Sequence, residues 1–218
     1  MNNKDQLMSA EHIDFLAEMM NVGAGNAVTA LSQLLDVEMD LKIPVVHILP
    51  AVLGESSILG QPSLPVTCAR MNMVGEVTGY LHFIVQSKDT ASLIQLAELA
   101  TQKGEKRHGW SSSNPGEDFS VIAEIGNIIS GVYLTAIHDF CKLNIYHTVP
   151  TVATDMIQAL LDESLINLSR QVRHLIVAEN EFIVKEKSIK TFMMIIPSAE
   201  SIKILADSID KAKMSYRK

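Results

Sequence analysis

The sequence predicts an α+β fold of two pseudo-symmetric repeats, with long helices packed on an antiparallel or mixed β-sheet. Three observations predict it: the chain repeats itself at an offset of 106 residues, each repeat opens with helical periodicity, and each continues in short apolar runs bounded by Gly and Pro. We expect a single domain over residues 1–218. Within it, repeat 1 covers about 9–103, an exposed linker covers 104–114 and repeat 2 covers about 115–211.

The repeat is clearest around a duplicated Glu-x-x-Asn motif. Chance gives roughly 0.6 such matches in a chain of this composition, so a single copy would mean little. Here both copies extend to the same longer pattern, [Asp/Ser]-x3-Glu-x2-Asn-x22-Pro, although proline occupies only 7 positions. The pattern residues are Asp14, Glu18, Asn21 and Pro44 in repeat 1 and Ser120, Glu124, Asn127 and Pro150 in repeat 2.

The first element is a helix predicted from residue 10 to about residue 35. Ser9 is a plausible N-cap, and Glu11 is favourably placed in the first turn. Apolar residues at three- and four-residue spacing form one face of this helix. That face contains Ile13, Ala17, Met20, Ala24 and Leu31. The motif residues and Gly25 form a second, polar stripe that spans about 60° around the helix axis.

The helix of repeat 2 carries the matching stripe, Ser120, Glu124, Asn127 and Gly131. Asn114 can cap it, and Pro115 suits its first position. Glycine inside a helix costs about 1 kcal/mol relative to alanine, and both helices contain two. Either close packing or the approach of another protein's backbone can explain these glycines.

Short strands follow each helix. Pro44 and Pro150 are each expected at the first residue of a strand, where a missing N–H costs no ladder hydrogen bond. In repeat 1, Gly75-Glu76 predicts a hairpin turn between two strands. The two strands of this hairpin cover 65–73 and 77–85. In repeat 2, strands are predicted over 173–178, 182–187 and 190–196. The closing helices of the two repeats cover 90–103 and 199–211. The charged run 179–187 is expected at a solvated edge of the sheet.

Composition excludes several classes of function. The formal net charge of −7 and the pI near 5.5 argue against a nucleic-acid binder. The N-terminal segment lacks the apolar core of a signal peptide, and we expect no insertion into a membrane. Cys68 and Cys141 lie far apart, as expected for free thiols in a reducing compartment. These features predict a cytoplasmic protein.

The chemistry of the stripe is limited by its residue types. An Asn carboxamide does not titrate near neutral pH, but it can hold a water molecule by donating and accepting hydrogen bonds. A Glu three residues away can act as a base, pair with a cation or bind metal. Such a site offers positioning, which suits phosphoryl transfer, whereas a partner would have to supply the phosphate and any metal ion. The alternative interpretation of each stripe is an ordinary solvated polar face.

Two other candidate sites are better explained by the fold. The segment Gly23-Ala-Gly25-Asn26 lacks the Lys-Ser/Thr of a phosphate loop and lies in a predicted helix. His138, His147 and Cys141 do not have the spacing of a zinc site, so we expect them to be ordinary structural residues. The sequence therefore predicts no metal site and no cofactor of its own.

The doubled pattern resembles the CheC family of chemotaxis phosphatases, which includes the CheX and FliY types. The segments FLAEMMNVGAGNAVTAL and VIAEIGNIISGVYLTAI are similar to the two motif segments of a CheC with two sites. The resemblance extends across the whole chain, because both repeats, their order and the total length fit. It implies hydrolysis of the phosphoryl-aspartate on the response regulator CheY.

The resemblance also implies a role for each pattern residue. Asn21 and Asn127 would orient the attacking water, and Glu18 and Glu124 would engage a lysine of CheY. Asp14 and Ser120 would be accessory, Pro44 and Pro150 structural, and Mg²⁺ would come from the CheY active site. A second hypothesis is a non-catalytic module that binds phosphorylated CheY or regulates the receptor deamidase CheD.

Overall fold

The structure is a computed structural model that describes residues 8–51, 58–103, 117–169, 171–172, 174–184 and 187–216. The predicted linker, Trp110 and the capping residues Asn114 and Pro115 lie outside these ranges. In chain order the elements are α1 (Ala10–Leu35), β1 (Asp40–Pro50), β2 (Pro65–Gly75), β3 (Gly79–Gln86), α2 (Ser87–Lys103), α3 (Glu117–Cys141), β4 (Ile145–His147), β5 (Thr151–Met156), α4 (Ile157–Asn167), β6 (His174–Val184), β7 (Lys187–Pro197) and α5 (Ala199–Tyr216).

The two motif helices, α1 and α3, end at equivalent positions of the repeat. Helix α1 begins as predicted, because the Ser9 side chain accepts a hydrogen bond from the backbone N–H of His12 and the His12 ring caps Ser9 in return. It is followed by Asp36 with φ 47°, and α3 is followed by Lys142 with φ 57°. These two left-handed residues are 106 positions apart, so the duplication seen in the sequence is also present in the backbone.

All seven strands belong to one antiparallel sheet, in which the repeats are interleaved. The strand order is β1-β6-β7-β3-β2-β4, and β5 also pairs with β2. The first strand of repeat 1 therefore pairs with a strand of repeat 2, and the first strands of repeat 2 pair with β2 of repeat 1. The pseudo-twofold axis lies between β3 and β7. The predicted α+β fold with internal symmetry is confirmed.

The prediction of two separate strands around residues 179–181 is wrong. Strand β6 runs without a break from His174 to Val184 and lies between β1 and β7, so Glu179 and Glu181 are not at a sheet edge. Their charges are accommodated because each of these two acids has a cationic neighbour on an adjacent strand. Lys190 Nζ donates to Glu179 at 2.8 Å, and Lys42 Nζ donates to Glu181 at 2.6 Å.

Three further features differ from the sequence prediction. Strand β1 starts at Asp40, four residues before Pro44, so this proline is not the first residue of its strand. Pro150 lies one residue before β5, next to its predicted position at the start of the strand. The short strand β4 and the helix α4 were not predicted, because three residues carry little periodicity and the apolar run of α4 directly follows a strand.

The motif helices cover one face of the sheet, together with α2 and α5, whereas α4 covers the opposite face. Phe83 and Val85 of β3 belong to the core under the motif helices, and Ile84 between them belongs to the core under α4. Within the described ranges, one helical stretch, Phe119–Cys141, is long and apolar enough to span a membrane. Of its apolar 18-residue window, 56% is buried inside the protein, as expected for a core helix. The stretch is therefore weak evidence of a membrane span.

Candidate functional site

The stripe on α1 faces solvent along its whole length. Asp14, Glu18, Asn21 and Gly25 are all exposed, while the opposite face of the helix is buried against the sheet and α3. Across the part of the chain that the structure describes, the side chains of Glu18 and Asn21 have no hydrogen-bond or ion-pair partner. The carboxylate and the carboxamide are therefore available to a molecule that approaches this helix.

The stripe on α3 is less open. Ser120 is exposed, but Glu124, Asn127 and Gly131 are half-buried. The two copies of the motif therefore have the same residues and spacing but different accessibility. The motif residues alone do not predict this difference in exposure, because it depends on the segments that pack beside each helix. The remaining pattern residues also differ, because Pro44 is buried and Pro150 is half-buried.

The two stripes lie at opposite ends of an antiparallel helix pair. The rings of Phe15 and Phe140 meet edge to face at 6.0 Å, and an added Cβ on Gly23 would lie 3.2 Å from Tyr133 Cδ1. The chain direction is thus reversed between α1 and α3. With a rise of 1.5 Å per residue, Asn21 and Asn127 lie about 12 Å apart along the helix axes.

The helix glycines divide into two groups. An added Cβ on Gly126 would lie 2.9 Å from Ala69 Cβ and 3.2 Å from Phe83 Cδ1, so this glycine lets α3 approach the sheet closely. Gly23 has the same role between the two motif helices. Gly25 is different, because an added Cβ there would have nothing within 4 Å. Packing therefore explains Gly23 and Gly126 but not Gly25 in the exposed stripe.

A cavity of about 380 Å³ continues the second stripe beyond Asn127. It lies between α3 and β4 and is lined by Gly131, Leu134, Thr135, His138, Ile145, Tyr146 and His147. His147 Nε2 would lie 3.5 Å from an added Cβ on Gly131, so β4 directly flanks this end of the stripe. This cavity was not predicted from the sequence, because it forms only where β4 packs beside α3.

A buried polar pair fixes the motif helices to the sheet. The Tyr133 hydroxyl of α3 donates to Asn180 Oδ1 of β6, and the amide of Asn180 donates to the Ala178 carbonyl at 3.4 Å. Burial raises the pKa of the Tyr133 hydroxyl above its ordinary value, so it remains protonated and can donate. Because Tyr133 also packs against Gly23, this pair sets the position of both helices.

The described residues contain no group of three or more His, Cys, Asp and Glu that could hold a metal ion. The two histidines nearest the second stripe are occupied by local contacts. His138 Nδ1 lies 2.9 Å from the Leu143 carbonyl, and His147 Nδ1 lies 3.0 Å from the Thr148 carbonyl. Each stripe therefore offers a carboxylate and a carboxamide rather than a metal centre.

The model of the CheC-like family matches residues 11–48 and 119–153, the two segments that hold both complete patterns. The chain is also 31% identical over 200 residues to the CheY-P phosphatase CheC of Bacillus subtilis (strain 168), covering 89% of this chain and 92% of that protein. The chain belongs to the CheC-like family. Its predicted family membership is thus confirmed, by a family model that covers both motif helices and by a relative that matches over most of the chain.

Solved structures with low sequence identity share the fold. FliY of Thermotoga maritima superimposes with a TM-score of 0.68 at 17% identity, covering 94% of this chain and 98% of that one. The FliM middle domain of H. pylori gives a TM-score of 0.58 at 12% identity, covering 91% and 99%. These two chains therefore share the overall fold of this CheC-like protein.

Proposed function

We propose that this CheC-like protein is a phosphatase that hydrolyses the phosphoryl-aspartate of CheY at two sites, one on each motif helix. The observation that carries the proposal is the pair of Glu-x-x-Asn stripes, whose Glu and Asn residues are exposed on α1 and half-buried on α3. Its family relative from Bacillus subtilis, a CheY-P phosphatase, supports the same reaction. The fold and the residue types agree with a protein that completes a partner's active site.

In the proposed mechanism, Asn21 or Asn127 holds the attacking water. The carboxamide oxygen accepts a hydrogen bond from this water and the amide N–H₂ donates one to it, which aligns the water oxygen with phosphorus. The water oxygen forms the new bond to phosphorus while the bond between phosphorus and the aspartate oxygen breaks. The products are inorganic phosphate and a free aspartate carboxylate. An amide cannot act as the base, so its contribution is orientation.

The neighbouring carboxylates orient the partner. Glu18 and Glu124 lie one helical turn before the asparagines and would pair with a lysine of CheY, which fixes the phosphoryl group in front of the water. Asp14 and Ser120 extend each stripe by one further turn as accessory contacts. Pro44 and Pro150 act on the backbone of the flanking strands. A Mg²⁺ ion bound by CheY would neutralise charge on the phosphoryl oxygens.

The described residues of this chain fit that division of roles. A carboxylate and an uncharged carboxamide per site are too few ligands for a resident divalent cation, which takes about six oxygen ligands. The pairing of an acidic side chain with a lysine, by contrast, needs only the exposed Glu18. We further propose that the protein acts in the cytoplasm, where its phosphorylated partner would be formed.

The test is phosphate release from phosphorylated CheY in Mg²⁺ buffer, with and without this protein, together with a separate measurement of binding. We expect the protein to accelerate release, and the double variant Asn21→Ala/Asn127→Ala to lose about 100-fold or more of that acceleration while still binding. Binding without acceleration by the wild-type protein would refute the phosphatase. It would favour the second hypothesis, a module that captures phosphorylated CheY or regulates CheD.

A further inference from the structure

Two apolar side chains protrude from the protein beside the motif prolines. Ile43 is 79% exposed and Val149 is 85% exposed, the highest values among the exposed large hydrophobic residues that the structure describes. An isolated exposed apolar residue is ordinary on a protein surface. These two are exceptional because they occupy the same position of the repeat, 106 residues apart, and each directly precedes its motif proline.

The backbone is irregular in the same way at both positions. In β1, residues 43 and 44 lie opposite the single residue 180, because Lys42 pairs with Glu181 and Val45 pairs with Glu179. In repeat 2, residues 148–150 lie opposite residues 71 and 72, because His147 pairs with Met73 and Thr151 pairs with Arg70. Relative to the strand opposite, each of these two segments therefore has one extra residue, at Ile43-Pro44 in repeat 1 and at Val149-Pro150 in repeat 2. Such bulges redirect a side chain and are frequent beside active sites.

Ile43 lies on the edge strand β1, and Val149 lies between β4 and β5 at the opposite edge of the sheet. His147 touches the Gly131 end of the second stripe, and Val149 is two residues further along, which is about 7 Å of extended chain. On the other side of the molecule, β1 is the opposite edge strand and packs against α1. Thr148 is held in place because its hydroxyl accepts from the backbone N–H of Asn72 at 3.0 Å. Val149 is therefore presented from a fixed backbone.

We propose that Ile43 and Val149 are apolar docking residues, each inserted into the surface of the CheY molecule whose phosphoryl group faces the adjacent stripe. This inference rests on the proposed phosphatase function and adds a binding determinant outside the Glu-x-x-Asn motif. The stripes supply polar groups that cost desolvation, so a nearby apolar contact is needed to give the complex affinity.

The duplication favours CheY over other occupants of these surfaces. A surface that binds a second copy of this chain, or any partner unrelated to the reaction, has no reason to recur at the same sequence separation from both motifs. CheY is the one partner that the proposed function brings to both stripes. The contact acts in binding rather than in the chemical step, so its loss should raise KM and leave kcat in place.

The experiment isolates one site at a time. In the Asn127→Ala background only site 1 turns over, and Ile43→Thr is added; in the Asn21→Ala background only site 2 turns over, and Val149→Thr is added. Threonine keeps the β-branched shape that suits a strand and replaces apolar surface with a hydroxyl. Ile166→Thr, on the exposed side of α4, is the matched control in both backgrounds. Unchanged thermal unfolding shows that each variant is folded.

We expect each Thr variant to raise KM for phosphorylated CheY about fivefold at unchanged kcat, and Ile166→Thr to have no effect on either constant. Unchanged KM in both Thr variants, with the backgrounds active, would refute the docking residues and leave the phosphatase standing. A fall in kcat without a rise in KM would also refute them. Absence of activity in the wild-type protein would refute the phosphatase and this inference together.

Discussion

Gly25→Ala tests whether the exposed stripe on α1 is shaped for a partner. An alanine Cβ at this position would meet no atom within 4 Å, and the residue lies inside a regular helix. Nothing in the fold therefore requires glycine here. The same substitution at Gly126 would place Cβ 2.9 Å from Ala69 Cβ. We therefore expect alanine to change the stability in opposite directions at these two positions.

The expected change in the free energy of unfolding follows from these contacts. Replacing a helix glycine with alanine in open space stabilises by about 1 kcal/mol, which raises Tm by about 2–4 °C in a chain of this length. At Gly126 the same propensity gain is opposed by overpacking of about 1–3 kcal/mol. We therefore expect Gly25→Ala to be more stable than the wild-type protein and Gly126→Ala to be less stable.

Activity should move in the opposite direction at Gly25. The added methyl group lies about one turn beyond Asn21 on the same stripe, where the proposed partner's backbone approaches. A displacement of the partner by about 1 Å can cost a factor of about 100 in rate, so we expect a loss of tenfold or more at site 1. Urea unfolding gives the stability, and phosphate release in the Asn127→Ala background gives the rate at site 1 alone.

The two measurements separate the possible outcomes. Higher stability with an unchanged rate at site 1 would show that no partner approaches Gly25 closely. It would refute our proposal that the partner's backbone lies against the α1 stripe. Lower stability would show that the helix around Gly25 is packed differently from the structure. Only a Gly25→Ala variant that is more stable than the wild-type protein and slower at site 1 agrees with both the stability prediction and the activity prediction.

Three further predictions concern buried side chains. Tyr133→Phe removes the donor to Asn180 and should destabilise the fold by about 1–3 kcal/mol in urea unfolding, so an unchanged midpoint would contradict this role. Burial lowers the pKa of His82 to about 3, so the unfolded chain binds a proton below pH 6.5 that the folded chain does not. Stability should therefore fall by about 1.4 kcal/mol per pH unit below pH 6.5, with a smaller slope in His82→Gln; equal slopes would refute it. Burial raises the pKa values of the Cys68 and Cys141 thiols to about 12 and about 11, so neither should react with a thiol reagent at pH 8 until urea unfolds the protein.

Long periodic elements and duplicated motifs were predictable from the sequence. Helix α1 spans the predicted residues because its cap, its apolar face and its polar stripe all favour the same element. The symmetry followed from the motif pattern, which recurs at an offset of 106 residues with identical gaps and predicts similar elements in both halves. Exposure of Asp14, Glu18 and Asn21 also followed, since a polar stripe opposite an apolar face must point to solvent.

What the sequence did not predict depends on contacts between distant segments. Residues 179–181 resemble a strand break, but partners on neighbouring strands, Lys42 and Lys190, allow these acids to lie inside the sheet. The half-burial of Glu124 and Asn127 reflects what packs beside α3, which no local pattern encodes. The bulge at Pro44 was missed because proline suits either a strand start or a bulge, and only the pairing register distinguishes them.

The most direct measurement compares phosphate release by the two single variants, Asn21→Ala and Asn127→Ala, with that of the wild-type protein at saturating phosphorylated CheY. Two separate water-orienting sites predict that each single variant keeps part of the rate and that their two rates sum to the wild-type rate. Complete loss of activity in either single variant would contradict independent sites. Full activity in both would contradict the assignment of these asparagines to the reaction.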